Sequence, residues 1–157
     1  MLSQTSIHVI RALTYLAAQP ADEYVGAAVI ATETGAPQNY LGKLLKQLCQ
    51  SGLLQSRRGA GGGVRLAQAA ENITLLQIVE PVEHLTRRQT CFMGDLCCGK
   101  QPCAYHKSWL KLHSDLVRFL DSVTLAGLAQ QSNWQNLPQV LKNRPGGKSN
   151  ADSIKHR

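Results

Sequence analysis

The chain has 157 residues, of which 43% are hydrophobic and 17% charged, so it is long and apolar enough to bury a core of its own. It contains neither a stretch apolar enough to span a membrane nor the features of a secretory signal, so we expect a cytoplasmic protein with no membrane partner. The formal net charge is +7, and its concentration in particular segments is consistent with a polyanionic partner, most often nucleic acid, and on charge alone equally with a solvated basic face.

Three helices are predicted in the first third of the chain. Apolar residues recur at helical spacing over 6–18, and a second, shorter helix covers 25–34. Gly35 ends the second helix, because glycine takes a left-handed conformation without strain. Pro37 lies in the first turn of the third helix, where its missing N–H costs nothing. The third helix is expected to bury Tyr40, Leu41, Leu44, Leu45 and Leu48 and to expose Gln38, Asn39, Gly42, Lys43, Lys46 and Gln47.

The second and third helices, joined by a turn that contains Gly35, fit a helix-turn-helix, which would place the third helix in a DNA major groove. From the helices alone, a plain helical hairpin in a core is an equally good interpretation. The following segment favours DNA binding.

Two short strands, 53–56 and 64–67, are predicted on either side of a loop with four glycines and two arginines, Arg57–Gly63. Such a loop is a poor core element, but it can lie against a sugar-phosphate backbone and place an arginine in a minor groove. A phosphate-cradling loop is the alternative, but it would need a helix directly after the glycines, where a strand is predicted. The whole stretch 37–67 contains five basic residues and no acid.

Two more helices are predicted after the hairpin, at 73–82, with Thr74 as a possible cap, and at 105–131. The second of these has more apolar surface than a small domain can cover, so we expect a homodimer through it. The predicted fold is mainly α with a small β-hairpin wing, a winged helix-turn-helix followed by a long C-terminal dimerisation helix. The expected domains are 1–83 for DNA binding, 84–106 as a cysteine-rich loop, 105–131 for dimerisation and 132–157 as a basic, disordered tail.

Four of the five cysteines lie in a segment of thirteen residues, which reads Cys91-x5-Cys97-Cys98-x4-Cys103-x2-His106 when the histidine that follows is included. An odd number of cysteines without a secretory signal favours metal or redox chemistry over a disulfide framework. Three thiolates and an imidazole can bind zinc, copper(I) or an iron–sulfur cluster, and the five-residue gaps suit a larger inorganic core than one zinc ion. Small buried apolar cysteines are the alternative, and for the isolated Cys49 a core position is the better interpretation.

Several motifs resemble those of the Rrf2 family of bacterial winged-helix regulators. The resemblance covers about 6–128, and its motifs are RALxYLA at 11–17, IAxxxGAPxxYL at 30–41, LxxLxxxGLL at 45–54 and SxRGxxGG at 56–63. It implies a homodimer on a roughly palindromic DNA operator, with the third helix in the major groove and Arg58 in the minor groove. The DNA contacts expected on this basis are Gln38, Asn39, Tyr40, Lys43, Arg57, Arg58 and Gly59.

The resemblance also implies an iron–sulfur cluster that controls DNA affinity. Members of the family with three cysteines and a histidine hold a 2Fe–2S cluster, and the matching ligands here are Cys91, Cys97, Cys103 and His106. A 4Fe–4S cluster is the less favoured expectation, because Ile7 stands where members with that cluster carry an aspartate. Cys98, or His8 of the partner subunit, remains an alternative fourth ligand.

The sequence therefore predicts a transcriptional regulator that binds specific DNA sequences and senses iron, redox state or nitric oxide through its cluster. Loss of the cluster would release the cysteine loop and change the spacing of the two recognition helices, which must match about 34 Å of DNA. One alternative is a winged-helix regulator that senses through thiol oxidation or zinc without iron. Another is a small cluster-carrying metalloprotein, against which the wing and the acid-free stretch argue. An enzyme is not expected, because no paired carboxylates or nucleophile–base motif is present.

Overall fold

The computed structural model describes residues 2–86 and 104–131. The described residues form six α-helices, one antiparallel hairpin and a short 3-10 turn: α1 Gln4–Ala17, α2 Ala27–Thr34, α3 Gln38–Gln50, β1 Leu54–Arg57, β2 Gly63–Leu66, the turn Ala70–Asn72, α4 Leu75–Glu83, α5 His106–Ser122 and α6 Leu125–Gln131. The mainly helical class with a β-hairpin wing is thereby confirmed. None of the helices in these two ranges combines the length and the apolarity needed to cross a bilayer.

Helix α1 lies at the centre of the core. Ser3 caps its N-terminus by accepting a hydrogen bond from the Ser6 N–H, and its apolar face contacts α2, α4 and α6. The core is continuous from the first helices and the hairpin to the C-terminal helices, and its fully buried large side chains include Leu13, Ile30, Leu41, Leu48, Ile78, Leu120 and Leu125. Because burying one such side chain stabilises the fold by about 1.5–3 kcal/mol, these positions hold α2 and α3 in a fixed orientation.

The predicted helix boundaries are confirmed where local chemistry sets them. Gly35 ends α2 in the left-handed region, with φ of 68°, and its N–H donates to the Ala31 carbonyl. Thr74 begins α4 with a reciprocal capping box that includes Gln77. Pro37 differs slightly from its predicted place, because it is the N-cap of α3 and not a residue of the first turn.

The prediction of one continuous helix over 105–131 is wrong at Val123 and Thr124. Val123 is extended, and Thr124 pairs with Thr74 in an antiparallel bridge, so the chain leaves α5 before α6 begins. Two backbone hydrogen bonds hold this break, from Leu75 N–H to the Val123 carbonyl (2.9 Å) and from Leu125 N–H to the Ile73 carbonyl (2.7 Å). Two β-branched residues in sequence favour the extended form, and the break lets Leu125 enter the core.

A cluster of polar groups joins α1 to the end of α4. The Glu83 carboxylate accepts hydrogen bonds from the Ser3 N–H (2.7 Å) and from the hydroxyl of the fully buried Ser6 (2.6 Å). Burial raises the pKa of Glu83, but the hydrogen bonds from Ser3 and Ser6 outweigh it, so the net pKa is lowered. The charged carboxylate therefore ties the two helices together.

The wing is attached to the start of α2 by its backbone. Val25 and Val64 exchange two hydrogen bonds of 2.9 Å each, which adds a third short strand segment to the hairpin. These two backbone segments approach so closely that a Cβ on Gly63 would lie 2.3 Å from the Val25 carbonyl oxygen. Only glycine fits at this position, which explains one of the glycines in the wing.

We expect Gly63→Ala to lower the free energy of unfolding by about 1–3 kcal/mol, because the added methyl group must push two backbones apart. Gly42→Ala is the matched control. Its Cβ would meet nothing within 4 Å, and alanine favours a helix, so the unfolding free energy should rise by about 0.5–1 kcal/mol. Urea unfolding measures both changes, and equal stabilities for the two variants would contradict the close approach.

Candidate nucleic-acid interface

Helix α3 presents a polar face to solvent at its N-terminal end. Leu41, Leu44, Leu45 and Leu48 are buried, whereas Gln38, Asn39, Gly42 and Lys43 are exposed, as predicted. Pro37 caps the helix without a side-chain hydrogen bond, and its carbonyl accepts from the N–H groups of Tyr40 (3.1 Å) and Leu41 (2.9 Å). A helix with this division of faces has the geometry of a recognition helix.

Tyr40 is not part of the buried face, where the leucine spacing placed it. Its side chain is 39% exposed, its hydroxyl is hydrogen-bonded to the Thr5 hydroxyl, and its ring lies edge-on to His8 with the ring centroids 6.4 Å apart. Residues of α1 thus brace Tyr40 at the edge of the exposed face. This placement keeps it among the candidate DNA contacts.

Gln47 was predicted to point outward, but it is half-buried, and its side-chain amide donates to the Pro81 carbonyl of α4. The reason is non-local, because α4 covers the C-terminal part of α3 and supplies an acceptor near its own end. Gln47 therefore connects α3 to α4 and is not part of the exposed polar face of α3.

The wing follows α3 after three residues. Strands β1 and β2 pair Leu54 with Leu66 and Arg57 with Gly63, and β1 packs on α3. Gly59 and Gly61 at the tip have positive φ angles of 95° and 69°, which glycine adopts without strain. The tip is exposed to solvent from Arg57 to Gly61.

The three wing arginines differ in what holds them. Arg57 donates to the Gly61 carbonyl (2.8 Å) and lies over the Tyr24 ring, and Arg65 donates to Gln55 and lies over the same ring. Arg58 is exposed at the tip, and in the part of the chain that the structure describes it has no hydrogen bond, ion pair or ring contact. Its guanidinium is therefore available to a ligand.

Sequence reasoning missed Tyr24 and did not assign Arg65 to the interface. The alternation of Arg57 and Arg65 on paired strands could have indicated that they share a face of the hairpin. Tyr24 gave no such indication, because only the non-local bridge between Val25 and Val64 brings it to the wing.

The predicted cluster ligands Cys91, Cys97 and Cys103, the alternative ligand Cys98 and the tail 132–157 lie outside the described residues. His106 is the first residue of α5 and is half-buried. Within the described ranges, no three histidine, cysteine or acidic side chains come together as a metal site. The ligand assignments therefore stay predictions.

Two further residues bear on the thiol and imidazole chemistry. The His8 Nδ1 is buried and, among the described residues, has no hydrogen-bond partner, and the pKa of His8 is lowered by burial and by the charge of Arg11.

Cys49 is half-buried against the core. Burial raises the pKa of its thiol and outweighs the lowering effect of a hydrogen bond with Ser56. Cys49 is consequently a poor thiolate ligand, in keeping with the predicted core position.

Comparison with known proteins identifies relatives along most of the chain. Residues 2–131 match the Rrf2 family model, described as an iron-dependent transcriptional regulator. The HTH-type transcriptional regulator IscR of Photobacterium profundum is 30% identical over 146 residues, which cover 90% of this chain and 85% of that protein. NsrR of Halalkalibacterium halodurans is 31% identical over 148 residues, which cover 92% and 99%.

Solved structures show the same architecture. T. potens IscR aligns with a TM-score of 0.69 at 26% identity, covering 88% of this chain and 93% of that one. The oxidized form of Staphylococcus aureus CymR aligns with a TM-score of 0.69 at 25% identity, covering 85% and 98%. The helices, the hairpin and their order are therefore those of a known group of winged-helix structures.

Proposed function

The chain belongs to the Rrf2 family of transcriptional regulators, and from this premise we propose that its affinity for DNA depends on an iron–sulfur cluster held by the cysteine-rich segment. The observation that carries the DNA-binding part is the exposed polar face of α3 followed directly by a wing whose tip presents Arg58. The cluster part rests on the predicted donor set and on the family to which the chain belongs.

In the proposed complex, α3 enters the major groove and the wing lies over the adjacent minor groove. Gln38 and Asn39 can donate to and accept from base edges, and Lys43 supplies a positive charge to phosphates. Arg58 reaches into the minor groove, where the negative potential is enhanced when the groove is narrow. Each of these side chains is exposed on α3 or on the wing.

Arg58→Ala is expected to weaken operator binding by about 1–3 kcal/mol and to reduce the slope of log affinity against log salt concentration by about 1. The physical reason is the loss of one cation that lies close to the DNA. Fluorescence anisotropy over a range of salt concentrations measures both quantities. Identical binding curves for the variant and the wild type at every salt concentration would rule out the wing contact.

The proposed cluster ligands are Cys91, Cys97, Cys103 and His106, with Cys98 and His8 of the partner subunit as alternatives for the fourth position. Three soft thiolates and one imidazole match the donors that iron–sulfur clusters take, so the residues present fit the group. When bound, a 2Fe–2S cluster would supply a centre that iron supply, oxidants or nitric oxide can alter.

A chain of contacts leads from the start of the cysteine loop to the recognition helix. Thr86, in the first described residues of the loop 84–106, donates its N–H (3.0 Å) and its hydroxyl to the Glu80 carboxylate of α4. Helix α4 is in turn bonded to α3 through Gln47 and to α1 through Glu83. A change in the loop would therefore reach α3 through α4, in addition to any change between subunits.

Helix α5 carries the surface proposed for the homodimer. Tyr105, Leu112 and Phe119 follow one another at steps of seven residues, so they lie on one side of the helix, and each is at least 59% exposed. The single fully buried residue of α5 is Leu120. A second copy that covers this stripe would place two recognition helices on a roughly palindromic operator.

The proposal is tested by purifying the full chain without oxygen and selecting fragments of the source genome that it retains. We expect a red-brown protein with visible absorption, about equal amounts of iron and sulfide, and enrichment of a small set of fragments. Chelator-treated protein is the control for the contribution of the cluster. Colourless protein that retains no fragment would overturn both parts of the proposal.

A second candidate is a regulator that senses by thiol oxidation without iron. The structural likeness to oxidized CymR of Staphylococcus aureus supports it. In that case the aerobically purified protein would be colourless, and a thiol reductant alone, with no added iron, would restore or remove DNA binding.

A further inference from the structure

Tyr24 lies between two arginines of the wing. The guanidinium carbon of Arg57 is 4.4 Å from the centroid of the Tyr24 ring, and that of Arg65 is 4.9 Å from it. Both distances are within the range of about 6 Å in which the face of an aromatic ring attracts a cation. One ring therefore holds two positive groups, which are separated by no more than the sum of these distances.

The backbone of the hairpin sets this arrangement. Arg57 is paired with Gly63, and Gly63 and Arg65 are two residues apart on β2, so both arginines are on the same face of the hairpin. The bridge between Val25 and Val64 brings the preceding residue, Tyr24, to that face. The glycine at 63 is what permits the bridge, because any side chain there would collide with Val25.

Each arginine has a second anchor that leaves most of its donors available. Arg57 uses one N–H for the Gly61 carbonyl, and Arg65 uses two, from Nε (3.2 Å) and Nη2 (3.0 Å), for the Gln55 amide oxygen. A guanidinium has five N–H donors. Across residues 2–86 and 104–131, the ion pair found joins Arg118 to Asp115, so neither wing arginine is neutralised by a carboxylate there.

We propose that Arg57 and Arg65 form a two-point clamp for the phosphate backbone of duplex DNA, and that Tyr24 is the positioning residue that holds both. The inference rests on the proposed DNA-binding function and adds Arg65 and Tyr24 to the residues that serve it. Arginine binds phosphate through two parallel N–H groups, and such contacts do not depend on base sequence. Duplex DNA is the expected partner because the clamp adjoins Arg58 at the tip and lies in a stretch, 37–67, without acidic residues.

This assignment makes the expected DNA contact of Arg57 more specific. Its guanidinium is held against Tyr24 and Gly61, so it contacts the outside of the DNA backbone and leaves the minor groove to Arg58. In this arrangement Arg57 positions the wing on the phosphate backbone, and Arg58 inserts into the minor groove.

The first test compares Arg57→Gln and Arg65→Gln with the wild type on a selected genomic fragment and on a mixed-sequence duplex of about 30 base pairs, with the full chain purified without oxygen. Each variant should reduce the salt slope by about 1 and weaken binding about fivefold to tenfold, with the same ratio of specific to non-specific affinity. Arg118→Gln, which removes the same charge from α5, should leave the slope unchanged. If both wing variants keep the salt slope of the wild type, the clamp is overturned and the proposed DNA-binding function stands. If the wild-type protein itself binds no duplex, both the clamp and the proposed function are overturned.

The second test separates positioning from charge. Tyr24→Leu keeps both arginines but removes the ring, so affinity should fall about tenfold while the salt slope changes little. Tyr24→Phe keeps the ring and should bind like the wild type. Urea unfolding of both variants shows whether a loss of affinity comes from a loss of folded protein. Equal affinity of the folded Leu and Phe variants would overturn the role of Tyr24.

Discussion

The double variant Leu112→Glu, Phe119→Glu is expected to be a monomer and to bind its operator about a hundredfold more weakly, or worse, than the wild type. Both side chains are exposed on α5, at 62% and 59%, and they lie seven residues, or about two helical turns, apart on the same side of the helix. Two carboxylates at the centre of a symmetric contact would meet two more from the second copy, and burying them would cost more than the contact returns. A monomer holds one half-site, and it loses the high effective concentration that linkage gives to the second.

The matched control is Ser114→Glu, which adds the same charge at an exposed position on the opposite side of α5. It should remain dimeric and bind like the wild type. Sedimentation velocity reports the mass of each variant, and anisotropy on a selected genomic fragment reports its affinity. A dimeric mass for the double variant at micromolar concentration would show that α5 does not form the interface.

Cys97→Ser is expected to abolish the visible absorption of the anaerobically purified protein and to remove the response of DNA affinity to iron or oxidants. In the wild type we expect the cluster-loaded and cluster-free forms to differ in affinity by about 5–150-fold, the usual range of an allosteric coupling of about 1–3 kcal/mol. In the variant the two preparations should bind alike, because serine is a poor substitute for a thiolate ligand.

Cys49→Ser is the control for the cysteine variant. Cys49 is half-buried on α3, and burial raises the pKa of its thiol, so it is not expected to be a ligand and the variant should keep both the colour and the response. Gln47→Leu tests the path through α4, because it breaks the bond to Pro81 while leaving the cysteines intact. It should keep the visible absorption and reduce the ratio between the DNA affinities of the cluster-loaded and cluster-free forms. A full response in Cys97→Ser would contradict the ligand assignment, and a full response in Gln47→Leu would contradict the path.

Local chemistry made much of the fold predictable. The spacing of Leu41, Leu44, Leu45 and Leu48 indicated the buried face of α3, and the left-handed end at Gly35 and the cap at Thr74 followed from single residues. The glycine-rich loop between two short strands indicated the wing, and the register of the hairpin then set the positions of its arginines. These features depend on residues that are neighbours along the chain.

The features that sequence reasoning missed depend on distant partners. Helix α5 ends at Ser122 because the backbone groups of 73–75 form hydrogen bonds with those of 123–125. The β-branched pair Val123 and Thr124 favours an extended backbone there, but it does not indicate the distant partner. Gln47 turns inward because the Pro81 carbonyl is within reach, and Tyr24 meets Arg57 only through the bridge between Val25 and Val64. In each case a contact between residues distant in sequence sets the local structure, and the spacing of apolar residues along the chain does not indicate such a contact.

The central claim is that one DNA-binding surface, α3 with the wing, changes its affinity with the state of the cysteine-rich segment. The most direct measurement is the affinity of the full chain for one selected genomic fragment, with cluster-loaded, cluster-free and oxidised protein titrated at the same salt concentration. We predict that at least one pair of forms differs by about 5-fold or more. Equal affinities for all three forms would contradict the claim.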